Sequence, residues 1–216
     1  MRQKRLIAIG DIHGCIDKLN SLLEKLQPKS SDTIVFTGDY IDIGGHSKEV
    51  IEKLIQLQTQ TSCIFLKGNH EDLLLKAKDG NFREMAHWYM IGENKTFENY
   101  GDIDKIFEIH NIFFLNLKLY YSTDKYFFTH GGINPNKPLK EHLDEEFLWA
   151  RHNFKEKPQG EIAQNRQKLV CGHTPTPNNL PYKDKYSICI DTACGKGGKL
   201  TALIIEDNNE TFVQSD

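Results

Sequence analysis

The stretch Leu6-Ile-Ala-Ile-Gly-Asp-Ile-His-Gly14 decides the fold, because a short apolar run passes directly into a glycine and an acidic residue. Such a run predicts a buried strand. The pattern recurs twice: residues 33–37 lead into a second Gly-Asp, and residues 63–66 lead into Lys-Gly-Asn-His. Apolar residues at helical spacing separate these runs, around 19–26 and 50–57. Strands that alternate with helices predict βαβ units and a mainly parallel sheet.

The rest of the chain indicates one helical region and a strand-rich second half. Apolar faces at helical spacing predict a helical insertion around residues 71–110. Apolar runs then predict strands at residues 115–121, 126–129, 169–170, 187–190, 200–205 and 211–213. A short helix is expected around residues 145–149, and loops over residues 154–167 and 178–185. With 216 residues and no internal repeat, we expect a single domain over residues 1–216.

The composition is that of an ordinary globular chain, with 38% hydrophobic residues and a net charge of −3. This balance gives no electrostatic reason to expect nucleic acid or an anionic membrane as a partner. The five cysteines are odd in number and form no C-x-x-C pair, which argues against a disulfide framework and a thiolate zinc site. The apolar stretch 6–9 is too short for a secretory signal. We therefore expect a cytoplasmic protein.

Polar residues able to bind metals follow six of the predicted strands. They are Asp11 and His13 after the first strand, Asp39 and Asp42 after the second, Asn69, His70 and Glu71 after the third, and His130, His173 and Asp191 after later strands. Each of these residues taken alone is common in loops, and a lone Gly-Asp is a common turn. Ligands of open parallel sheets bind beyond the carboxyl ends of the strands, so the repeated placement predicts one shared site.

The residue types in this set favour a hydrolytic site with two metal ions. Carboxylate, imidazole and amide ligands without thiolate suit Mn²⁺, Fe²⁺ or Zn²⁺. Two such ions roughly 3.5–4 Å apart bracket one hydroxide and lower its pKa toward neutrality. A carboxylate that bridges both ions is needed, because its two oxygens can bind one ion each. The residue types therefore predict a hydrolytic site that depends on two divalent metal ions.

Five ordered motifs resemble those of the phosphoprotein phosphatase family of calcineurin-like metallophosphoesterases: Gly10-Asp-Ile-His-Gly14, Gly38-Asp-Tyr-Ile-Asp42, Gly68-Asn-His-Glu71, His130-Gly-Gly132 and Gly172-His-Thr174. The resemblance covers about residue 6 to residue 205. The motifs are most similar to those of bacterial members, which resemble both phage-type serine/threonine phosphatases and symmetric diadenosine tetraphosphatases. The resemblance implies an α/β fold in which two sheets pack as a sandwich flanked by helices, a four-layer αββα architecture. It also implies two divalent metal ions, with Mn²⁺ as first choice and Fe or Zn as alternatives.

The resemblance also implies a role for each matching residue. The implied metal ligands are Asp11 and His13 for the first ion, Asp39 as the bridge, and Asn69, His130 and His173 for the second ion. The implied catalytic residues are His70 as general acid and Asp42 as the group that orients it, and Arg151 is the implied phosphate-binding arginine. Asp191 and residues 194–199 match a segment that closes the site in bacterial members, and a plain glycine-rich hairpin is an equally open interpretation.

One position departs from the family pattern, because Ile43 stands where the family has arginine. That arginine makes charge-assisted contacts with phosphate oxygens, and losing one such contact costs on the order of 10²–10³ in rate. Lys67 or His46 is a candidate replacement, and a solvated loop residue is the favoured interpretation of both. Trp88 and Trp149 are interpreted as core or pocket wall.

Three functions stay open on the sequence alone. The first is a phosphomonoesterase acting on phosphoserine or phosphothreonine in a phosphorylated protein. The second is a hydrolase of a nucleotide substrate, a symmetric dinucleoside tetraphosphatase. The third is a degenerate relative that binds phosphate with little turnover, which is suggested by Ile43 and opposed by the retained ligands and His70. For either substrate we expect direct attack of a metal-activated hydroxide on phosphorus, without a covalent enzyme intermediate.

Overall fold

The computed structural model describes residues 4–92, 94–134, 137–154, 167–207 and 209–216. The strands are β1 (Leu6–Ile9), β2 (Thr33–Phe36), β3 (Ser62–Phe65), β4 (Tyr120–Ser122), β5 (Tyr126–Thr129), β6 (Lys168–Cys171), β7 (Tyr182–Lys183), β8 (Ser187–Cys189), β9 (Thr201–Glu206) and β10 (Asn209–Gln214). The helices are α1 (Ile16–Leu26), α2 (Ser47–Gln58), α3 (Asn69–Lys78), α4 (Phe82–Ile91), α5 (Asn94–Tyr100), α6 (Ile103–Leu115) and α7 (Asp144–Trp149). None of the helices in the described ranges combines the length and apolar character needed to cross a bilayer.

The strands form two mixed sheets of five strands each, in the orders β10-β9-β1-β2-β3 and β4-β5-β6-β8-β7. In the first sheet β1, β2 and β3 run parallel, whereas β9 is antiparallel to both β1 and β10. In the second sheet β5, β6 and β8 run parallel between two antiparallel edge strands. The expected parallel βαβ units are therefore present, and antiparallel strands complete each sheet.

The two sheets pack face to face, and the alternation of side chains along each strand creates this arrangement. Ala8 and Val35 of the first sheet share a buried apolar cluster with Phe128 and Val170 of the second. The next residues along the strands point to the opposite faces, as strand geometry requires. Ile7 and Ile9 thus pack beneath the helices, in a cluster that holds the apolar faces of α1 and α2.

A third apolar cluster lies on the outer face of the second sheet, where Phe147 of α7 packs on Phe127 and Leu169. Helices, two sheets and a further helix therefore form four layers, which confirms the two-sheet sandwich expected from the sequence. Four helices, α3 to α6, occupy residues 69–115 where the helical insertion was expected. The single-domain organisation stays a prediction.

Two segments differ from expectation. The predicted strand at 115–121 begins only at Tyr120. α6 continues through a kink at His110 to Leu115, and Lys118 forms an isolated bridge with Leu66 next to the end of β3. Ile112 and Leu115 on this last turn are exposed, so their apolar character reflected neither a strand nor a core position. The loop expected over residues 178–185 contains the short edge strand β7. The loop expected over residues 154–167 lies outside the described residues except at its two ends.

Candidate active site

The predicted site residues meet at one edge of the sandwich, beyond the carboxyl ends of the parallel strands. Many occupy sharp turns, since His13, Asp39, Asp42 and His173 have φ values of 48°, 53°, 68° and 62°. Non-glycine residues rarely adopt this left-handed conformation, and such strain concentrates at functional sites. The chain thus keeps four polar residues in costly backbone positions at the same edge.

The Asp39 carboxylate lies at the centre of a ring of histidines. Its Oδ2 atom is 3.5 Å from Nε2 of His13, 3.5 Å from Nε2 of His130 and 3.9 Å from Nε2 of His70. Its Oδ1 atom accepts a hydrogen bond from the backbone N–H of His70 at 3.2 Å. One carboxylate therefore contacts both sides of the site.

Two triplets of possible ligand atoms share Asp39. In each triplet the atoms lie within 4.8 Å of one another: His13, Asp39 and His70 form one, and Asp39, His130 and His173 form the other. Two neighbouring cation positions with a shared carboxylate are the arrangement that a bridged pair of ions needs.

The histidine rings are held in the neutral form. Nδ1 of His13 donates to the carbonyl of Ile41 at 3.0 Å, and Nδ1 of His130 donates to the carbonyl of Thr37 at 2.9 Å. A carbonyl can only accept, so each Nε2 keeps its lone pair for a metal ion. Burial is the main cause that lowers the pKa of His13 to about 3 and that of His173 to about 4, so both rings are uncharged at neutral pH.

Unsatisfied acceptors show that a cation fits this site. Nε2 of His173 is buried and has no hydrogen-bond partner among the described residues. Nε2 of His130 lies 2.9 Å from Oδ1 of Asn69, and in the neutral ring both of these atoms are acceptors. Buried acceptors without donors are costly, and a shared cation satisfies them. The donor set of imidazole, carboxylate and amide suits Mn²⁺, Fe²⁺ or Zn²⁺.

The buried acids point to the same conclusion. Burial first, and then the charge of Asp191, raises the pKa of Asp11 well above its usual value. Burial first, and then the charge of Asp11, does the same for Asp39. Asp11 accepts hydrogen bonds from the hydroxyl of Thr37 at 3.2 Å and from the N–H of His173 at 2.9 Å, and it lies outside both triplets. Such crowding of carboxylates is relieved when cations bind.

His70 and Asp42 form a hydrogen-bonded pair, with Nδ1 of His70 2.7 Å from Oδ2 of the fully buried Asp42. The same carboxylate accepts from the indole N–H of Trp88 at 2.7 Å and from the hydroxyl of Thr96. Helices α4 and α5 therefore fix Asp42, which fixes the ring of His70. Trp88 is core, as one of the two interpretations had it, and it also hydrogen-bonds a predicted catalytic residue.

Glu71 belongs to neither triplet and binds the backbone instead. Its fully buried carboxylate accepts hydrogen bonds from the backbone N–H groups of Asp39, Tyr40, Ile41 and Gly68, at 2.8–3.3 Å. Burial raises the pKa of Glu71, and the backbone hydrogen bonds oppose that increase. Because all four partners are donors, they favour the ionised carboxylate. Glu71 thereby shapes residues 37–46, which we call the β2 loop.

A cleft of about 370 Å³ opens above these residues. Its walls include predicted site residues (His13, Asp39, Asn69, His70, Arg151, His173 and Asp191), apolar residues (Ile43, Ile91, Trp149 and Pro175) and part of residues 190–200, which we call the β8 loop (Ala193, Gly195 and Lys196). Arg151 is exposed in this cleft, and the β8 loop closes one side of it. Trp149 is a wall residue, the second of its two interpretations.

The suggested replacements for the missing arginine are elsewhere. Lys67 forms an ion pair with Asp72 at 2.8 Å, and His46 is an exposed residue 3.6 Å from Glu49. Neither lines the cleft. His46 is a solvated loop residue, as the favoured interpretation had it, whereas the Lys67 side chain is only 17% exposed and is held by its ion pair. Lys196, which the sequence did not single out, does line it.

A two-sheet sandwich that gathers imidazole, carboxylate and amide donors at one edge defines a metallophosphoesterase. The chain belongs to the calcineurin-like phosphoesterase family, whose profile matches residues 4–204. It is therefore a hydrolase of phosphate esters that uses divalent metal ions.

Relatives with two kinds of activity are similar to this chain. The bis(5′-nucleosyl)-tetraphosphatase PrpE (asymmetrical) of Halalkalibacterium halodurans is 27% identical over 224 residues, which cover 90% of this chain and 87% of that protein. The serine/threonine-protein phosphatase rdgC of Drosophila melanogaster is 37% identical over 89 residues, which cover 40% of this chain and 14% of that protein.

Solved structures share the fold. A yeast serine/threonine phosphatase with similarity to human PP5 superposes with a TM-score of 0.72 at 17% identity, covering 99% of this chain and 80% of that one. A cold-active protein-tyrosine phosphatase from a Shewanella species gives a TM-score of 0.67 at 19% identity, covering 100% and 83%. These similarities confirm the architecture expected from the sequence.

Proposed function

We propose that this chain hydrolyses phosphate esters at the cleft, with Asp39 bridging two divalent ions. Asp11 and His13 complete one ligand set, and Asn69, His130 and His173 complete the other. When bound, the ions neutralise phosphate charge and activate a water near neutral pH. Mn²⁺ is the proposed metal, with Fe or Zn as alternatives. The observation that carries this proposal is that one carboxylate, Asp39, belongs to both triplets.

The chain's own residues supply orientation and the proton. His70 acts as general acid toward the leaving oxygen, because Asp42 holds its Nδ1 and leaves Nε2 directed at the cleft. Asp42 is restrained by two further donors from the insertion helices and by full burial, so the ring has one supported orientation. The exposed guanidinium of Arg151, which lines the same cleft, binds phosphate oxygens.

We propose a phosphomonoester of serine or threonine in protein as the first substrate candidate. The open cleft with Arg151 at its surface can receive a phosphate carried by a larger molecule. A serine/threonine phosphatase is also 37% identical to this chain over 89 residues, which supports this candidate.

We also propose a cytoplasmic location. The five cysteines are free, and two of them, Cys171 and Cys189, have sulfur atoms 3.2 Å apart without a bond, which suits a reducing compartment.

A dinucleoside tetraphosphate is the second substrate candidate, and the length of the matches favours it. The PrpE relatives match 90–96% of this chain over 87–91% of their own length. Their name specifies asymmetrical cleavage, whereas the motifs suggested the symmetric type. Products distinguish the two modes, because asymmetric cleavage of diadenosine tetraphosphate gives ATP and AMP and symmetric cleavage gives two ADP.

A substrate panel on metal-analysed protein tests the function. Purified protein reconstituted with Mn²⁺, Fe²⁺ or Zn²⁺ is assayed on a phosphoserine peptide, a phosphothreonine peptide, diadenosine tetraphosphate and an aryl phosphate. We expect turnover with about two metal equivalents per chain, and the peptide-to-nucleotide ratio selects the substrate class. Two bound equivalents without turnover on any substrate would support the degenerate relative instead. Failure to bind metal would overturn the proposed site.

The leaving-group dependence of His70→Gln tests the general acid. We expect about a 10²–10³-fold loss of kcat on an alkyl phosphate, whose leaving oxygen must be protonated. The loss on p-nitrophenyl phosphate should be far smaller, because nitrophenolate leaves without a proton. Metal content should match that of the unchanged protein. Because His70 also belongs to the triplet with His13 and Asp39, loss of a metal equivalent in this variant would identify His70 as a ligand and reject its role as acid.

A further inference from the structure

The β8 loop places an ammonium group in the cleft. Lys196 ends a 3₁₀ turn, Cys194–Lys196, that follows Ala193 in the left-handed conformation. Its side chain is exposed and lines the cleft. Within the described part of the chain, the ammonium has neither an ion pair nor a hydrogen bond. A cation at the mouth of a phosphate site without a protein partner is available to a ligand.

The turn that carries Lys196 packs against Ile43, the residue that stands where the family has arginine. A Cβ atom built on Gly195 would be 3.1 Å from Cγ2 of Ile43 and 2.8 Å from Cβ of His13. Both distances are closer than ordinary van der Waals contact, so the absence of a side chain at Gly195 permits this packing. Lys196 is therefore one residue from a direct contact with Ile43.

Ile43 belongs to an apolar wall rather than to the charged part of the cleft. A Cβ atom at Gly92, just beyond α4, would lie 3.5 Å from Cγ1 of Ile43, and Ile91 lines the cleft beside it. An isoleucine side chain cannot contact phosphate oxygens through charge. The positive charge on this side of the cleft comes from Lys196 among the described residues.

Packing places Lys196 and Arg151 on two sides of the cleft. The residue before Lys196 is the glycine whose added Cβ would lie 2.8 Å from Cβ of His13. The ring of Trp149, two residues before Arg151, has its centroid 5.9 Å from that of His173. Lys196 thus lies on the His13 side of the cleft and Arg151 on the His173 side.

The β8 loop is held in place from helix α1. The ammonium of Lys18 donates to the carbonyl of Cys194 at 2.8 Å and to the carbonyl of Gly198. Asp191 accepts from the N–H of Ala193 at 2.9 Å at the start of the turn. A cation on a fixed turn loses little backbone freedom when it binds a ligand, which strengthens the interaction.

We propose that Lys196 binds a phosphate oxygen of the substrate opposite Arg151 and supplies the positive charge that is lost at Ile43. This role rests on the proposed function, because it assigns one more contact within the same cleft. An ammonium gives a single point of charge where a guanidinium gives a planar fork, so the contact is strong without being bidentate.

Lys196→Met tests this role against Lys199→Met, which removes the same charge from the same loop outside the cleft. We expect Lys196→Met to lower kcat/KM about 10–100-fold and to raise the inhibition constant of inorganic phosphate about tenfold, with metal content unchanged. Lys196→Arg should restore most of the activity. Lys199→Met should behave like the unchanged protein. Equal kcat/KM and equal phosphate inhibition in the two methionine variants would overturn the proposal.

Rescue and direct binding complete the test. Ile43→Arg should raise kcat/KM at least tenfold when it is added to Lys196→Met. The same substitution should give a smaller increase in the protein that retains Lys196. A gain of the same size in both backgrounds would show that the two positions do not share a role. Calorimetry with inorganic phosphate on metal-loaded protein separates the two proposals. If no ester is hydrolysed, the proposed function fails, and weaker phosphate binding by Lys196→Met still supports the contact.

Discussion

Two loops meet at the cleft, and opposite charges hold them. The β2 loop is organised by an anion, because the carboxylate of Glu71 accepts from three of its backbone N–H groups and from that of Gly68. The β8 loop is organised by a cation, because the ammonium of Lys18 donates to the carbonyls of Cys194 and Gly198. The irregular backbones of the two loops are thus fixed in different ways, one by a carboxylate and the other by an ammonium group.

These two groups differ in burial, and this difference indicates what each loop can do. Glu71 is fully buried, so its hydrogen bonds are screened little and removing them leaves buried donors unpaired. Lys18 is half-buried and competes with water. The β2 loop accordingly carries the residues with the strictest geometry, Asp39 and Asp42. The β8 loop carries Lys196, whose long side chain tolerates adjustment.

The largest effect is expected when the shared carboxylate of the β2 loop is removed. Asp39→Asn should lower kcat by more than about 10³-fold and reduce bound metal below two equivalents, because an amide cannot bridge two cations as a carboxylate does. Asp191→Asn changes the buried acid of the β8 loop and should retain both metal equivalents. Elemental analysis and turnover measure both. An Asp39→Asn protein with full activity would remove the bridging role.

Glu71→Gln should have the next largest effect, and we expect that effect on the stability of the fold. The amide group of glutamine brings a donor toward backbone N–H groups that need an acceptor, so we expect the free energy of unfolding to fall by about 2–4 kcal/mol. Denaturant unfolding measures the change, and the exposed Glu49→Gln serves as a matched control. An unchanged unfolding midpoint for Glu71→Gln would contradict the assignment of Glu71 as the organiser of the β2 loop.

Lys18→Met should have the smallest effect. Loosening the β8 loop should reduce kcat/KM about 3–10-fold through KM, because Lys196 then spends less time in its binding position. Stability should change by less than about 1 kcal/mol, since the contact is half-exposed. Lys25→Met on the same helix removes an ion pair with the exposed Asp216 and is the control. Identical KM values for the two variants would show that the anchor does not support binding.

The strand ends were predictable because they are local patterns. An apolar run followed by glycine and a metal-binding residue specifies both the end of a strand and the edge where its side chain lies, and β1, β2 and β3 fall within one residue of expectation. The six predicted metal ligands come to that edge, although their coordination stays a prediction. Periodicity failed at residues 115–121, where an apolar run suited a helix end as well as a strand.

The partners of Asp42 could not be predicted, because they come from distant positions. Trp88 and Thr96 lie 46 and 54 residues away along the chain, in helices whose packing angle is a property of the whole fold. Lys196 was missed for a related reason. Its direction depends on left-handed backbone at Ala193, a residue type that gives no signal of that conformation.

The environment of the two tryptophans has a practical consequence. Trp88 donates its indole N–H to the carboxylate that holds His70, and the ring of Trp149 lies 5.9 Å from that of His173. Since the chain contains no other tryptophan, its tryptophan fluorescence arises at two places beside the candidate site. The unlabelled protein therefore carries its own optical reporters, and single Trp→Phe replacements would let ion uptake be followed separately at each place.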